Sequence, residues 1–472
     1  MFKNGLQLWN LCILMYNKHK EKWAKMKIFK RKAYQSLLEW KNEYSNNYAC
    51  LLEGARRVGK STLAEEFAKN EFRSYIRVDF SDITQEMLEI FDDIANLNYF
   101  FLRLQTMTGV TLYEKESVII FDEIQLCPKV RQAIKHLVKD GRYFYIETGS
   151  LLSIKQNVQN IVIPSEEHKI SIHPLDYEEF LWATGENSEL LKEVAKKKIP
   201  LGDGVNRRLM KSFRLYIAVG GMPQAVNEYI DTNNLERVDK VKSKILSLYN
   251  EDLFKIDISG KTSAMFDAIP SQLALQKKYF SISMATKKKK TSKDEERFFN
   301  LLNSKTVIPV FNVTQPCFEL AQAKQLDKFK LYFFDVGLFV TRLFNNGKGI
   351  ENDIYNKLLS DRVDANLGYL YENAIAQILT ANNLDFYYYT WKDDNDPHIK
   401  EIDFLLASHK KLIPIEVKSA YRNNHKSLDV FVNKHSKIVG RRILVSQKDF
   451  GNEKMLELIP FYAFPFVASN EF

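Results

Sequence analysis

An apolar run, a glycine-bounded loop and an apolar-periodic stretch follow one another between Tyr48 and Lys69, and that order limits the fold more than any other feature of the chain. Tyr48 to Leu52 has the length and character of a buried strand, while Thr62 to Lys69 carries Leu63, Phe67 and Ala68 at helical spacing. Between them stands Gly54-Ala55-Arg56-Arg57-Val58-Gly59-Lys60-Ser61, which fills every fixed position of the GxxxxGK[ST] phosphate loop. Glycines at 54 and 59 allow backbone N–H groups to wrap an anion at a helix N-terminus, where the helix dipole also favours negative charge. In that arrangement Lys60 reaches the β- and γ-phosphates of ATP and Ser61 holds Mg2+, with Ala55, Arg56, Arg57, Val58 and Thr62 completing the cradle.

A phosphate loop requires a second, carboxylate-bearing strand. Ser117-Val118-Ile119-Ile120-Phe121 is continuously apolar and ends in Asp122-Glu123, which places two acids at the carboxyl end of a parallel sheet, where ligands bind in such folds. Asp122 is expected to hold the magnesium through water, and Glu123 to orient or deprotonate the attacking water. A third strand, Tyr143 to Ile146, leads into Glu147-Thr148-Gly149-Ser150; Thr148 or Ser150 either senses the γ-phosphate or caps a helix. Tyr75 to Phe80 supplies a further strand and Val130 to Val138 a helix. The alternation predicts an α/β fold, a parallel sheet with helices on both faces.

At 472 residues the chain has room for about three domains. A hydrophobic fraction of 45% with 12 Pro and 18 Gly excludes a disordered or fibrous chain. The longest apolar stretches, such as Leu11 to Tyr16, are too short to cross a membrane. Cys12, Cys50, Cys127 and Cys317 show no paired spacing and no neighbouring histidine set, so the expected setting is reducing and cytoplasmic, with neither a zinc site nor a disulfide framework. The net charge of +9 suits a polyanionic partner and equally a solvated basic surface. Residues 1–25 lack the basic start and cleavage site of a signal peptide and are expected to be a non-native or flexible extension, with Met26 as the natural start.

With these motifs in place, the chain from about Met26 onward resembles a group of prokaryotic AAA-type ATPases that join a phosphate-loop domain to a C-terminal domain of unknown function. The resemblance also rests on Thr148-Gly149-Ser150-Leu151-Leu152, on His173-Pro174-Leu175-Asp176-Tyr177-Glu178-Glu179-Phe180-Leu181, on Gly220-Gly221-Met222-Pro223-Gln224-Ala225-Val226 and on Lys330-Leu331-Tyr332-Phe333-Phe334-Asp335-Val336-Gly337-Leu338. It implies an ATPase core over 26–200, a helical lid and winged-helix-like segment over 201–345, and a C-terminal domain over 346–472. AAA-type modules often form homo-oligomers. Family members often place a Gly-Arg pair before the Pro-Leu segment as an arginine finger; this chain has Ser165-Glu166-Glu167-His168-Lys169 there, so a ring of defined size is not expected.

Arg207 to Val219 and Leu235 to Tyr249 have helical periodicity, as a lid requires. Lys287 to Lys290, with Lys277, Lys278 and Lys293 nearby, is either a solvated face or a set of DNA phosphate contacts. In the last hundred residues a helix over Tyr371 to Leu379 carries Glu372, and Phe386 to Trp391 reads as a strand. Glu401 to Leu406 and Leu412 to Lys418 read as a hairpin turning near Ser408 to Lys411. Period-two alternation places Glu416 and Lys418 on one face. Metal-assisted phosphodiester cleavage needs acids for a hard divalent ion and a cation for the attacking hydroxide, and Asp403, Glu416 and Lys418 supply them. This pattern is similar to the PD-(D/E)XK restriction-endonuclease-like fold, in which Glu372 matches the acid of the first helix; Ile402 stands where that motif has proline. Tyr387, Tyr388, Tyr389 and Trp391 either stack on bases or fill a core.

The expected function is therefore an ATP-binding, magnesium-dependent ATPase coupled to a nuclease-like, DNA-binding domain. The alternative is a regulatory or defence-associated switch whose C-terminal domain binds nucleic acid or protein without cutting.

Overall fold

The computed structural model describes residues 27–150, 165–287, 291–345, 352–360, 367–393, 396–419, 425–453 and 455–472. The expected N-terminal extension, Met26, Leu151, Leu152 and Lys288 to Lys290 lie outside them.

Five strands, β1 (Ala49–Glu53), β2 (Ser74–Asp79), β3 (Ser117–Asp122), β4 (Phe144–Gly149) and β5 (Glu167–Ser171), form an all-parallel sheet in the order β2-β3-β4-β1-β5. Every residue of β3 is buried, as a strand covered on both faces must be. Its side chains alternate between two cores. Val118 and Ile120 pack with Leu63, Phe67 and Ala68 of helix α1 (Lys60–Glu71), while Ile119 and Phe121 pack with the helices 97–108 and 128–140 on the opposite face. The carboxyl ends of β1, β3 and β4 thus lie side by side on one edge.

The middle of the chain is helical as expected, with α2 (Asp203–Val219), α3 (Pro223–Thr232) and further helices over 235–256 and 261–274. Short helices over 282–286 and 293–303 precede a hairpin of β6 (Val307–Val313) and β7 (Lys324–Phe333), and α4 (Val336–Phe344) follows.

The hairpin does not close off a separate unit. It continues into β8 (Tyr387–Asp393), β9 (Asp396–Ser408), β10 (Lys411–Lys418), β11 (Arg442–Ser446), β12 (Gly451–Glu453) and β13 (Leu456–Pro460), giving a mixed eight-stranded sheet ordered β12-β13-β11-β10-β9-β8-β6-β7. The expected boundary between 345 and 346 therefore falls across one sheet. Asn312 pairs with Tyr388, and its side-chain oxygen accepts from the Thr390 N–H at 3.1 Å, so β6 finds its partner strand in the C-terminal segment instead of leaving an open edge. Helix α5 (Gly368–Ala381) packs on this sheet, with Ala374, Ile375 and Ile378 in the core that also holds Tyr332 and Phe404. Tyr388, Tyr389 and Trp391 are buried, the last two stacked at 5.3 Å beside Phe431. They serve the core and are not available to bases.

Candidate functional site

The phosphate loop runs from the end of β1 into α1. Gly59 has φ of 95°, a left-handed conformation that glycine adopts without a side-chain clash. Gly54 has a different reason to be glycine, because a Cβ there would stand 2.3 Å from the carbonyl oxygen of Ile172. Lys60 is buried, and its Nζ donates to the carbonyls of Gly54 at 3.2 Å and Ala55 at 2.9 Å, which holds the loop curled around the ammonium. Burial lowers the Lys60 amine from its ordinary value, against the opposing charges of Glu123 and Asp122.

At the end of β3, Asp122 is 1% exposed and takes part in a compact polar web. Its Oδ1 accepts from Ser61 Oγ at 2.7 Å and from Thr148 Oγ1, which itself accepts from the Glu123 N–H at 3.2 Å. Arg77 on β2 closes the other side, with its guanidinium 2.5 Å from Asp122 Oδ2. Glu123 has φ of 55° and ψ of 46°, uncommon for a residue with a side chain and of the kind that clusters at functional sites. Its carboxylate accepts from Gln125 Nε2. The sequence-predicted residues Lys60, Ser61, Asp122, Glu123 and Thr148 are thus brought to one sheet edge.

Lys60, Ser61, Asp122 and Glu123 line a cavity of about 1400 Å³, whereas Thr148 is fully buried. The cavity is bounded by Ile28, Phe29 and Tyr34 before β1 and by Pro223 and Gln224 at the start of α3. Two arginines here were not singled out from the sequence. Arg77 is one. The other is Arg31, whose guanidinium donates to the carbonyls of Val58 at 3.0 Å and His173 at 2.6 Å and pairs with Glu179 at 3.2 Å, bracing the loop from behind. Glu179 in turn completes a capping box with Asp176, which explains the acidic run in the Asp176-Tyr177-Glu178-Glu179 motif.

The glycine pair and the Lys330–Leu338 motif meet at a second node. Asp335 is fully buried and accepts from the Gly221 N–H at 2.6 Å and the Leu338 N–H at 2.8 Å, capping α4. A Cβ on Gly221 would stand 2.0 Å from the Leu175 oxygen, and one on Gly337 would stand 2.5 Å from the Gly220 Cα. Three segments far apart in sequence therefore touch backbone to backbone, next to Pro223 on the nucleotide side.

The C-terminal acids converge as well. Phe404 faces Ile415 in the β9–β10 pairing, so Asp403 and Glu416 are the next residues across. Asp403 Oδ2 accepts from the Val417 N–H at 2.8 Å, and Lys418 Nζ lies 2.5 Å from Glu416 Oε1. Glu372 on α5 accepts from the Tyr332 hydroxyl at 3.0 Å. Burial raises the Asp403 carboxyl well above its ordinary value, reinforced by Glu416 and Glu372; burial also raises Glu416, opposed by Lys418. Among the described residues no group of three His, Cys, Asp or Glu side chains is already spaced as a metal site. Glu416 Oε2, however, is buried with no hydrogen-bond partner, an orphaned oxygen that fits a hard cation.

Residues 46–181 match the family model of an AAA domain. This part of the chain is similar to an AAA domain and carries a P-loop. The remainder matches two domains of unknown function, DUF8612 over residues 210–348 and DUF4143 over 367–464, and the eight-stranded sheet takes strands from both. No curated protein matches the chain. Among solved structures, the Thermotoga maritima RuvB Holliday junction branch migration motor is similar at 13% identity over 59% of this chain and 89% of that one, with a TM-score of 0.26. C. elegans PCH-2 is similar at 12% identity over 45% of this chain and 65% of that one, with a TM-score of 0.23. No helix among the described residues is long and apolar enough to cross a membrane.

Proposed function

We propose that the AAA domain binds and hydrolyses ATP, and that its nucleotide state governs a C-terminal, restriction-endonuclease-like site acting on DNA. Lys60 and the loop N–H groups bind the phosphates. Ser61 Oγ and the Asp122 carboxylate are the groups that would hold magnesium, whose charge neutralises the β- and γ-phosphate oxygens when bound. Glu123 takes a proton from the attacking water, and Thr148 keeps Asp122 and the Glu123 backbone in register.

The observation that carries the coupling is the contact of Asp335 with the Gly221 N–H. Pro223, two residues from Gly221, lines the nucleotide cavity, while β7, immediately before Asp335, carries Tyr332 to Glu372. A shift of α3 on nucleotide binding would be passed to the sheet that bears Asp403 and Glu416, because the backbone contacts between them leave no slack. In the second domain Asp403, Glu416 and Glu372 are the residues for a divalent ion, and Lys418 steadies the attacking hydroxide.

The second reading, a switch that binds nucleic acid or protein without cutting, is favoured by one observation: Glu416 is already engaged by Lys418. The test is cleavage of end-labelled single- and double-stranded DNA with magnesium or manganese, with and without ATP, beside Asp403→Ala. Metal-dependent cutting that disappears in the variant supports the nuclease. No cutting while ATP turnover continues overturns it in favour of the binding module.

A further inference from the structure

Among the described residues four arginines line the nucleotide cavity, Arg31, Arg56, Arg57 and Arg77. Three of them are neutralised by an acid of the chain. Arg31 pairs with Glu179, Arg77 pairs with Asp122, and Arg56 turns to the helix over 235–256, where its guanidinium lies 3.1 Å from Asp252 Oδ2. Arg57 differs from all three. It is partly buried on the phosphate loop, and among the described residues it makes neither a hydrogen bond nor an ion pair.

The backbone of Arg57 is a second, independent observation. Its φ is 69°, in the left-handed region that glycine enters freely and a residue with a side chain does not. Of the described residues other than glycine with such a φ, only Arg57 and Glu123 line the nucleotide cavity. The turn is held by its neighbours almost carbonyl by carbonyl. Those of Gly54 and Ala55 accept from Lys60 Nζ, that of Arg56 from the Tyr249 hydroxyl at 2.6 Å, that of Val58 from Arg31 and that of Gly59 from the Leu63 N–H at 3.0 Å. Uncommon conformations persist where the surroundings over-determine them, and they cluster at ligand clamps. Glycine would make the same turn with less strain. What arginine adds is a permanently charged, planar fork that matches phosphate oxygens two at a time.

We infer that Arg57 is a substrate-contacting residue of the ATP site: its guanidinium, delivered in cis by the phosphate loop, binds the phosphate chain of the nucleotide that the same loop holds. This rests on the phosphate-loop reading and goes further, because the cradle needs only the backbone of residue 57. The adjacent arginines divide the work. Arg56 ties the loop to the helical segment through Asp252, which leaves Arg57 for the ligand. An arginine that stabilises phosphoryl transfer can come from the same chain or from another. Here the same chain supplies it, so turnover needs no second copy.

The test is steady-state ATP hydrolysis by the full chain with magnesium. Arg57→Gly, which keeps the turn and relieves its strain, is expected to melt at or near the wild-type temperature. Its kcat/KM is expected to fall by about 10–100-fold, the loss of one or two charge-assisted hydrogen bonds. Arg57→Lys, which keeps the charge without the fork, should lose less. Guanidinium ion, at concentrations that leave the fold intact, should restore part of the Arg57→Gly turnover. Mixing Arg57→Gly with Lys60→Ala should restore none, whereas recovery in the mixture would put the arginine on a neighbour's nucleotide and overturn the cis assignment. An unchanged kcat/KM in Arg57→Gly overturns the phosphate contact and leaves the phosphate loop standing. A loss that Arg57→Lys shares in full and that guanidinium does not relieve overturns it too, in favour of a purely structural arginine. If Lys60→Ala binds ATP as wild type does, the phosphate-loop reading itself falls, and the inference with it.

Discussion

Replacing Asp335 by Asn alters one atom at the node between the two sheets, and its cost follows from the contacts. The carboxylate is fully buried, with Oδ1 on the Leu338 N–H and Oδ2 on the Gly221 N–H. An asparagine oxygen turned to Leu338 preserves the helix cap. Its NH2 group then faces the Gly221 N–H, donor against donor. The lost charge-assisted hydrogen bond costs about 1.5–3 kcal/mol and the stranded N–H about 1–3 kcal/mol. Burial already penalises this carboxylate, holding its pKa above the ordinary value, so loss of the charge returns part of that. The net expectation is a destabilisation of roughly 2–4 kcal/mol. Urea unfolding reads it as a lowered midpoint with an unchanged slope. A change below about 0.5 kcal/mol, the range of an uninvolved surface position, would refute the claim that Asp335 joins the segments. Gly221→Ala is the companion: its Cβ meets the Leu175 oxygen at 2.0 Å, so it should destabilise comparably without touching any charge.

Lys60→Ala should abolish nucleotide binding, measured by calorimetry, and retained affinity would contradict the phosphate-loop assignment. Glu123→Gln should keep ATP affinity while slowing turnover by about 10²–10⁴-fold, read in a phosphate-release assay. The buried His173 imidazole is held down to about 4 by burial and by the charges of Lys305 and Arg31, against 6.5 for the free group. Between those values the unfolded chain binds a proton that the folded chain refuses, so stability should fall as pH drops from 6.5 toward 4 by at most about 3 kcal/mol. His173→Gln should flatten that stretch of the pH–stability curve.

The parts of the site that were legible in the sequence are those written in local spacing. The phosphate loop, the acids after β3 and the alternation that joins Glu416 to Lys418 each lie within a few residues of a strand end. Asp403 and Glu416 were readable because a short hairpin fixes their register. What was hidden lies in contacts made by topology. Arg31 reaches Glu179 across 148 positions, and Lys330 reaches Glu401 across 71, so no window of sequence holds both partners. Arg31 sat in a basic run that looks like any solvated segment. Lys330 and Tyr332 did carry a signal, two polar groups at period two among the apolar residues Phe329, Leu331 and Phe333 of the buried half of β7, which is a pattern of a shared target on one face. That one sheet spans the expected boundary after residue 345 was hidden for the same reason: the hairpin β6–β7 satisfies its open edge with β8, a partner that composition does not reveal.

The most direct test of nucleotide control over the acid site is hydrogen–deuterium exchange of β9 and β10, residues 396–418, with and without magnesium and a slowly hydrolysed ATP analogue, in wild type and Lys60→Ala. The expected result is altered exchange around Asp403 and Glu416 in wild type and none in Lys60→Ala. Unchanged exchange there in wild type, with the nucleotide demonstrably bound at the phosphate loop, would contradict it.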